Sequence, residues 1–256
     1  MKINWIGLGT IYWREIRRTF QVSMQTVFPP IITSLLYILI FGNVLGSRIQ
    51  DIIPGVSYID FMIPGLLMMN VISASFASTS SVIYIGKLQN TITELLVAPL
   101  SYVEIVMGFV LAAATRGVIV GMGVYAVALF FTTATFAHLW AFLFFILATS
   151  LLFGAVGAMV GLWAETFDHV NLPNTFILLP LSFFGGVFHS IRLLPDWMQT
   201  LSKANPVFYM VNGIRASMIG IADVPMYVSA LVVLVLVTVA LWFCVSLFRR
   251  GYKLRS

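Results

Sequence analysis

The chain has 256 residues, of which 60% are hydrophobic and only 9% are charged, and its net charge is +5. Soluble globular domains are typically about 45–50% apolar and about a quarter charged, so this composition excludes an ordinary soluble protein. The single cysteine, Cys244, excludes a disulfide framework or a thiolate metal cluster built from this chain alone.

The N-terminal residues 5–20 predict an amphipathic helix that lies in the membrane interface. Arginines at positions 14, 17 and 18 fall on other faces than the apolar side chains. A simple cytoplasmic extension of the first membrane span is the alternative. No small-residue cleavage site follows the short apolar run, so we expect this segment to be retained rather than removed as a signal peptide. The apolar face comprises Trp5, Leu8, Tyr12, Ile16 and Phe20.

Six intervals between charged residues are long enough to cross a membrane, which takes roughly 20 apolar residues in a helix. The third interval contains one charge, Arg116, and the fifth is interrupted by Pro173, Pro180 and the pair Gly185-Gly186. The sequence therefore predicts an all-α polytopic membrane protein with a single transmembrane domain over residues 1–256. The predicted spans are residues 22–47, 61–86, 105–134, 139–164, 170–189 and 224–248.

The distribution of basic residues predicts the orientation of these spans. With six spans both termini lie on one side, and the termini with Lys87 carry nine basic residues. The other side carries four, namely Arg48, Arg192, Lys203 and Arg215. Because basic residues concentrate on the cytoplasmic side, we expect both termini to be cytoplasmic. Membrane topology and lipid contact then account for the basic charge, and no nucleic-acid partner is expected.

On the cytoplasmic side, residues 87–104 form the most informative connection. A short amphipathic segment in it ends at Ala98-Pro99, and proline disfavours helix at the residue before it. We therefore expect a short helix followed by a turn, with Leu95, Leu96 and Val97 exposed for contact with a partner. A plain linker is the alternative.

The connection at residues 190–223 mixes prolines and charges with large apolar residues. It is too polar to span a membrane and too apolar for a free loop. The pattern favours one or two short helices that re-enter the outer leaflet as a hairpin before the last span, because backbone at that depth must be helical or covered by protein. A helix lying flat on the outer surface fits the composition equally well.

The one charge inside a predicted span, Arg116, is costly to bury and is therefore a candidate functional residue. We expect it to reach the interface or to pair with Glu104 or Glu94, and contact with cargo is the alternative. Three G-x-x-x-G spacings permit close helix packing. Their glycines are Gly42 and Gly46, Gly117 and Gly121, and Gly157 and Gly161.

The sequence offers no catalytic constellation, since no ionisable pair in the spans has metal-ligand or acid–base spacing. The one Gly-Lys pair, Gly86-Lys87, is followed by Leu88 and lacks the glycine required at the start of a P-loop, so we expect the chain to bind no ATP itself. The spans also lack Asp and Glu, which argues against ion-coupled transport. The energy for any transport must then come from a partner.

Two stretches resemble the membrane subunits of type-2 ATP-binding-cassette (ABC) exporters, most closely the small half-size permeases of Gram-negative bacteria. The first is TELLVAPLSYVEIVMG, residues 93–108. The second is FFGGVFHSIRLLPDWMQTLSKANPVFYMVNGIR, residues 183–215, which holds Gly-Gly-x-Phe, Leu-Pro-x-Trp, Asn-Pro-x-x-Tyr and Gly-x-Arg in order. The order of elements also fits, so the resemblance covers nearly the whole chain.

The resemblance implies a homodimer in the bacterial inner membrane with two cytoplasmic ATPase subunits, which would hold ATP and Mg²⁺. It implies a coupling helix containing Thr91, Glu94, Leu95, Leu96 and Pro99. It also implies a path between the protomers, lined mainly by the first, second and fifth spans, that ends at an extracellular gate. The gate residues would be Gly185, Gly186, Phe188, Pro195, Trp197, Asn205, Pro206, Tyr209, Gly213 and Arg215.

The expected function is that of a non-catalytic permease subunit that exports an amphipathic, lipid-linked or glycan cargo. Two other classes stay open from the residues alone. Transport without an ATPase would favour a secondary transporter or channel, whereas the absence of cargo-dependent ATP turnover would favour a membrane assembly or interaction protein.

Overall fold

The chain folds into a bundle of helices in the computed structural model, which describes residues 4–44, 56–132 and 136–253. Every regular element in these residues is helical, which confirms the predicted all-α fold class. The α-helices are α1 (Trp5–Gln21), α2 (Ser23–Thr26), α3 (Phe28–Val44), α4 (Tyr58–Leu88), α5 (Thr91–Val97), α6 (Tyr102–Ala128), α7 (Leu139–Trp163), α8 (Phe167–Pro173), α9 (Leu179–Phe184), α10 (Asp196–Ala204), α11 (Pro206–Ile219) and α12 (Met226–Arg249). A π-helical turn, Asn174–Leu178, joins α8 to α9, and a 3₁₀ turn, Ile191–Leu193, precedes α10.

Five helices in the described part of the chain are long and apolar enough to cross a membrane. They are Ser23–Gly42, which combines α2 with most of α3, and α4, α6, α7 and α12. They match the predicted first, second, third, fourth and sixth spans. The predicted end of the first span at residues 45–47, and Arg48 after it, lie outside the described residues. The third span was predicted to reach residue 134, but α6 ends at Ala128 and a turn follows it.

The predicted fifth span, 170–189, is an interrupted helix. Residues 167–184 are helical throughout but divide into α8, the π-turn and α9, a length of roughly 27 Å at the rise of an α-helix. Pro173 has no amide hydrogen to donate inside the helix, and the π-turn that follows it takes up the irregularity. The helix ends at Phe184, earlier than the predicted residue 189, because the chain turns at Gly186, which adopts a left-handed conformation with φ of 81°.

The core lies where α4 packs between α6 and α7, with small residues at the contacts. A Cβ added to Gly161 of α7 would lie 2.7 Å from the carbonyl oxygen of Ser80, and one added to Gly157 would overlap the backbone of Phe76. On α6, a Cβ added to Gly121 would lie 2.7 Å from a methyl carbon of Val71. The predicted close packing at two of the three glycine pairs is therefore confirmed, because only glycine permits these approaches. Gly46 of the third pair lies outside the described residues.

The helix α1 packs lengthwise along the first half of α6. The amide of Asn4 donates to Oε1 of Glu104 at 2.7 Å, Ile11 lies over Gly108, and the hydroxyls of Tyr12 and Thr115 are 3.0 Å apart. The prediction of which residues form the apolar face of α1 was wrong in part. The helix buries Ile11, Glu15, Ile16 and Thr19 and leaves Trp5 and Phe20 exposed, since the gap above Gly108 admits Ile11.

The helix α4 runs the length of the bundle and defines two ends. The hydroxyl of Tyr58, at its start, donates to the carbonyl oxygen of Phe188 at 3.4 Å. The ammonium of Lys87, near its finish, donates to the carbonyl oxygen of Ala164 at 2.9 Å. We call the region around the start of α4 the α10 end; it includes residues 185–205 and 220–225. We call the region around the finish of α4 the α5 end; it includes α5, residues 164–166 and residues 250–253.

Candidate functional site

At the α5 end, the short helix α5 occupies the position predicted for a coupling helix. It follows Asn90, whose left-handed backbone (φ 57°) reverses the chain after α4, and it ends before Pro99. Thr91 at its start donates a hydrogen bond to the carbonyl oxygen of Gly86 at 3.3 Å. Ile92 is buried beside Gly86. The sequence therefore builds a tight connection that fixes α5 to the end of α4.

The exposed surface of α5 differs from the predicted one. Leu95 and Leu96 are half-buried against the bundle core, so the prediction that both are exposed is wrong. They share one helical face with Ile92, because residues three and four apart lie side by side. Glu94 and Val97 point outward instead, and Val97 is 83% exposed. An apolar group and a carboxylate three residues apart thus form the free face of α5.

The carboxylate of Glu104 lies at the α5 end and is engaged locally. Its Oε2 accepts from the amide of Ser101 at 2.6 Å, and its Oε1 accepts from the amide of Asn4. The predicted pairing of Arg116 with Glu104 or Glu94 is therefore wrong, since no ion pair within the described residues joins Arg116 to either. The spacing Ser101-x-x-Glu104 is a capping box and could have predicted this role from the sequence.

A second structure at the α5 end joins the C-terminal residues to the turn between α7 and α8. Lys253 forms an ion pair with Glu165 and donates to the carbonyl oxygen of Trp163 at 3.3 Å. Its hydrogen bond lowers the pKa of the Glu165 carboxyl below the ordinary 4.5 and raises its own pKa above 10.5. Lys87 binds the same turn through the carbonyl oxygens of Leu162 and Ala164. We define Lys87, Glu165 and Lys253 as the C-terminal clasp, which the sequence interpretation missed.

At the α10 end, Arg215 of α11 forms the central contact of the predicted gate. It was counted from the sequence among the loop charges, yet it is only 2% exposed. Its guanidinium lies 3.8 Å from the ring centroid of Phe61, donates to the carbonyl oxygen of Gly186 at 2.5 Å and reaches that of Phe61 at 3.4 Å. Arg215 therefore binds α11 to the start of α4 and to the glycine turn after α9.

Other predicted gate residues surround this contact. Phe188 stacks on Phe183 with ring centroids 5.1 Å apart and contacts Phe41 in a tilted arrangement at 5.6 Å, which joins α9 to the end of α3. Asn205, between α10 and α11, donates to the carbonyl oxygen of Leu181 at 2.6 Å and caps α11, in which Pro206 is the first residue. Gly185 lies against Val207 of α11. The sequence-predicted residues Gly185, Gly186, Phe188, Asn205, Pro206 and Arg215 thus come together.

The remaining predicted gate residues lie apart from that cluster. Trp197 and Pro195 are exposed at the start of α10, with Trp197 67% exposed. Tyr209 donates to the carbonyl oxygen of Lys203 at 2.9 Å and so links α11 to α10. Gly213 lies against the ring of Phe145 on α7, where no Cβ would fit. These four residues therefore take no part in the contact around Arg215.

A polar network at the same end was missed by the sequence interpretation. The Oδ1 of Asn212 accepts from the amide of Asp223 at 2.7 Å, and its Nδ2 donates to Oγ of Ser229 at 2.9 Å. Asp223 in turn accepts from Oγ of Ser190 and pairs with Nε of Arg192, both at 3.1 Å. Asn212 could have indicated this network from the sequence, because an amide side chain buried in an apolar helix needs hydrogen-bond partners.

Comparison with known proteins agrees with this architecture. A family model described as ABC-2 type transporter matches residues 7–219. The chain is 42% identical over 257 residues to the inner membrane transport permease YadH of Escherichia coli (strain K12), covering all of both chains. It is 27% identical over 244 residues to nodulation protein J of Rhizobium leguminosarum bv. trifolii, covering 92% of this chain and 89% of that one. Nodulation protein J of Rhizobium meliloti (strain 1021) is 26% identical over 235 residues.

Proposed function

The chain belongs to the ABC-2 type transporter family and is a multi-pass inner-membrane transport permease, and from this premise we propose that it is the membrane subunit of an ATP-driven exporter. The observation that carries the proposal is the helix α5, a short helix fixed beneath the bundle with Glu94 and Val97 on its free face. A separate cytoplasmic ATPase binds this face and holds ATP and Mg²⁺. Both termini are cytoplasmic in this arrangement, and the chain crosses the membrane six times.

The chemistry of the α5 face supports its role in coupling. Val97 supplies an apolar group that a cleft on the ATPase can bury, and Glu94 supplies a carboxylate for a basic residue of that cleft. The half-buried Leu95 and Leu96 of the same helix transmit the contact, since they pack against the bundle core. Closure of the ATPases thereby moves α5 together with the end of α4.

The transport path lies between two copies of the chain. The helix α3 is largely exposed, with Ile32, Leu36 and Ile40 along one face, and the helix of residues 167–184 exposes Phe176 and Ile177. Contacts of Phe188 with Phe41 of α3 and with Phe183 of α9 connect the two helices at the α10 end, which supports their lining one path. The exposed polar residues Asn171 and Thr175 on the second surface favour a path over a purely lipid-facing helix.

The α10 end acts as the extracellular gate in this proposal. The hairpin of α10 and α11 enters the outer leaflet, and the contact of Arg215 with Gly186 connects it to the helix that lines the path. The cargo is an amphipathic, lipid-linked or glycan molecule. The aromatic side chains along the proposed path support this class, because aromatic faces bind both sugars and lipid chains.

Affinity purification of the full-length chain with its ATPase tests the coupling role. The double variant Glu94→Ala, Val97→Ala leaves the buried residues of α5 unchanged. Losing a desolvated charged contact and its apolar neighbour costs about 2–5 kcal/mol, which weakens ATPase binding roughly thirtyfold or more. We expect the ATPase to be lost and cargo-stimulated ATP hydrolysis to disappear, while insertion is normal.

The matched control is Leu193→Ala, Asp196→Ala, which removes the same kinds of exposed side chain at the α10 end. It should retain the ATPase at the wild-type ratio. Normal co-purification and normal stimulation in the α5 variant would remove the coupling role from this helix. Transport by the chain in vesicles without any ATPase would instead support a secondary transporter or channel.

A further inference from the structure

Lys87 joins two connections at the α5 end that are far apart in the sequence. It is half-buried in the last turn of α4, and α5 begins a few residues later at Thr91. Its ammonium donates to the carbonyl oxygen of Leu162 at 2.5 Å and to that of Ala164 at 2.9 Å. The last carbonyl oxygens of a helix have no partner inside it, and these two lie at the end of α7. One side chain therefore links the end of α4 to the turn between α7 and α8.

A buried apolar contact beside Lys87 joins the same two regions. Tyr84 precedes Lys87 by three residues on α4, so the two side chains lie on one face of the helix. Tyr84 forms a buried cluster with Ala164 of the turn and Val170 of α8. Its ring centroid lies 6.3 Å from that of Phe167, the first residue of α8. The end of α4 thus packs on the turn after α7 and on the start of α8.

The residue before Lys87 holds α5. The carbonyl oxygen of Gly86 accepts a hydrogen bond from the hydroxyl of Thr91 at 3.3 Å. A Cβ added to Gly86 would lie 3.0 Å from the side chain of Ile92, so α5 lies directly against this glycine. Two adjacent residues of α4 therefore hold α5 and the turn of residues 164–166. A movement of α5 that carries the end of α4 with it acts on the turn through Lys87.

The turn of residues 164–166 is in turn attached to α8. Thr166 caps this helix, since its hydroxyl accepts from the amide of His169 at 3.4 Å. The imidazole of His169 stacks on the ring of Trp163, with centroids 5.1 Å apart. We therefore expect the turn and α8 to move together. The helix α8 continues through the π-turn into α9, so the movement reaches the whole helix of residues 167–184.

We propose that Lys87 is the positioning residue that passes a movement of α5 to the helix of residues 167–184. The ATPase displaces α5, the end of α4 follows, and the two hydrogen bonds of Lys87 draw the turn and α8 with it. An ammonium group suits this task, because it has three donors and two of them bind carbonyl oxygens of the turn. The inference rests on the coupling role proposed for α5 and adds the step from that helix to the transport path.

Lys253 offers a comparison, because it binds the same turn without being part of the segment that carries α5. It donates to the carbonyl oxygen of Trp163 at 3.3 Å and forms an ion pair with Glu165. It follows α12 in the chain. Loss of Lys253 should therefore loosen the turn only, whereas loss of Lys87 should also separate the turn from α4 and α5.

Spin labels in the full-length chain, assembled with its ATPase in lipid nanodiscs, test the inference. Gln89→Cys places a label between α4 and α5, and Asp168→Cys places one on the first turn of α8. Both positions are exposed, and Cys244 is buried. Electron paramagnetic resonance spectra are recorded before and after addition of the non-hydrolysable ATP analogue AMP-PNP with Mg²⁺. With Lys87 present, we expect the analogue to change the spectrum at both positions.

Substitutions of Lys87 should separate the two responses. Lys87→Met keeps the length of the side chain but removes its donors, so the response at position 168 should be lost while position 89 still responds. The ATPase should still co-purify, because Glu94 and Val97 are unchanged. Lys87→Gln, which is shorter and uncharged, is a second variant with the same expectation. Lys87→Arg supplies charged donors again and should restore the response at position 168.

Lys253→Met is the matched control and should respond at both positions as the parent chain does. Elution of each variant as a single species on size-exclusion chromatography establishes that it is folded. Loss of the response at position 168 alone in Lys87→Met, with recovery in Lys87→Arg, supports the inference. An equal loss in Lys253→Met would show that a loosened turn is sufficient for the effect and would overturn it.

Three further results would also overturn the inference. A response at position 168 that persists in Lys87→Met, or that is missing in the parent chain, would do so while leaving the coupling role of α5 intact. Loss at both positions in Lys87→Met would show that Lys87 holds α5 rather than passing its movement on. The absence of any response at position 89 in the parent chain, with AMP-PNP bound to the ATPase, would instead remove the coupling role of α5 and this inference with it.

Discussion

The central charged contact of the α10 end, made by Arg215, is buried, whereas the charged contact of the C-terminal clasp at the α5 end is exposed. Arg215 is 2% exposed and its guanidinium bonds the carbonyl oxygen of Gly186 and packs on Phe61. In the C-terminal clasp, the side chains of Lys253 and Glu165 are 34% and 65% exposed. Buried hydrogen-bonded charges are strongly coupled to folding, while exposed ion pairs contribute little. We therefore expect the Arg215 contact to stay fixed and the C-terminal clasp to open more readily.

The largest effect that would test this comparison is expected at Arg215. Arg215→Ala leaves the carbonyl oxygens of Gly186 and Phe61 without their donor and opens a space beside the Phe61 ring. We expect a loss of about 2–4 kcal/mol of folding stability, from the carbonyl oxygen left without a donor and from the space beside the ring. Thermal unfolding in detergent, followed by size-exclusion fluorescence, measures the loss.

Arg192→Ala is the matched control at the same end. Its side chain is 70% exposed and pairs with Asp223, so its removal should change stability by less than about 1 kcal/mol. Equal midpoints for the two variants would show that Arg215 does not anchor the α10 end.

A smaller, pH-dependent effect is expected at the C-terminal clasp. The folded chain lowers the pKa of Glu165, so the stabilisation is present above the ordinary carboxyl value of 4.5 and is lost as the pH falls through the lower, folded value. The raised pKa of Lys253 keeps its charge at neutral pH and confines its own loss to pH above 10.5. The clasp should therefore be closed at pH 7 and open in acid.

Spin-label mobility at position 252, introduced by Tyr252→Cys, measures this opening, since Cys244 is buried. The label should become mobile in acid in the wild-type background and should be mobile at every pH with Glu165→Gln. The control Glu94→Gln, at the exposed carboxylate of α5, should behave as the wild type. An immobile label at pH 7 in Glu165→Gln would mean that the ion pair does not hold the C-terminal residues.

The sequence predicted those features that depend on local pattern. Long apolar intervals, free of charge except at Arg116, located five helices that the structure contains, and Ala98-Pro99 located the end of α5. Prolines at 173 and 180 pointed to the irregular fifth helix, although the π-turn itself depends on how the following residues rearrange their hydrogen bonds.

Features that depend on distant contacts were not predictable in the same way. The buried face of α1 is set by Gly108 on α6, and the role of Arg215 is set by Gly186 and Phe61. The side chains Leu95 and Leu96 appeared free because nothing in their own segment indicates that the bundle covers them. The hydrogen bonding of Glu104 is the exception, because the capping-box spacing of Ser101 and Glu104 could have predicted it from the local sequence.

The most direct test of the proposed coupling compares two exposed apolar residues at opposite ends of the bundle. Val97 and Trp197 are 83% and 67% exposed. A photoreactive benzoylphenylalanine at position 97, in the full-length chain assembled with its ATPase in native membranes, should cross-link to the ATPase on irradiation. The same group at position 197 should give no such product. A cross-link from position 197, or none from position 97 in a complex that still hydrolyses ATP, would contradict the assignment of α5 as the helix that couples this permease to its ATPase.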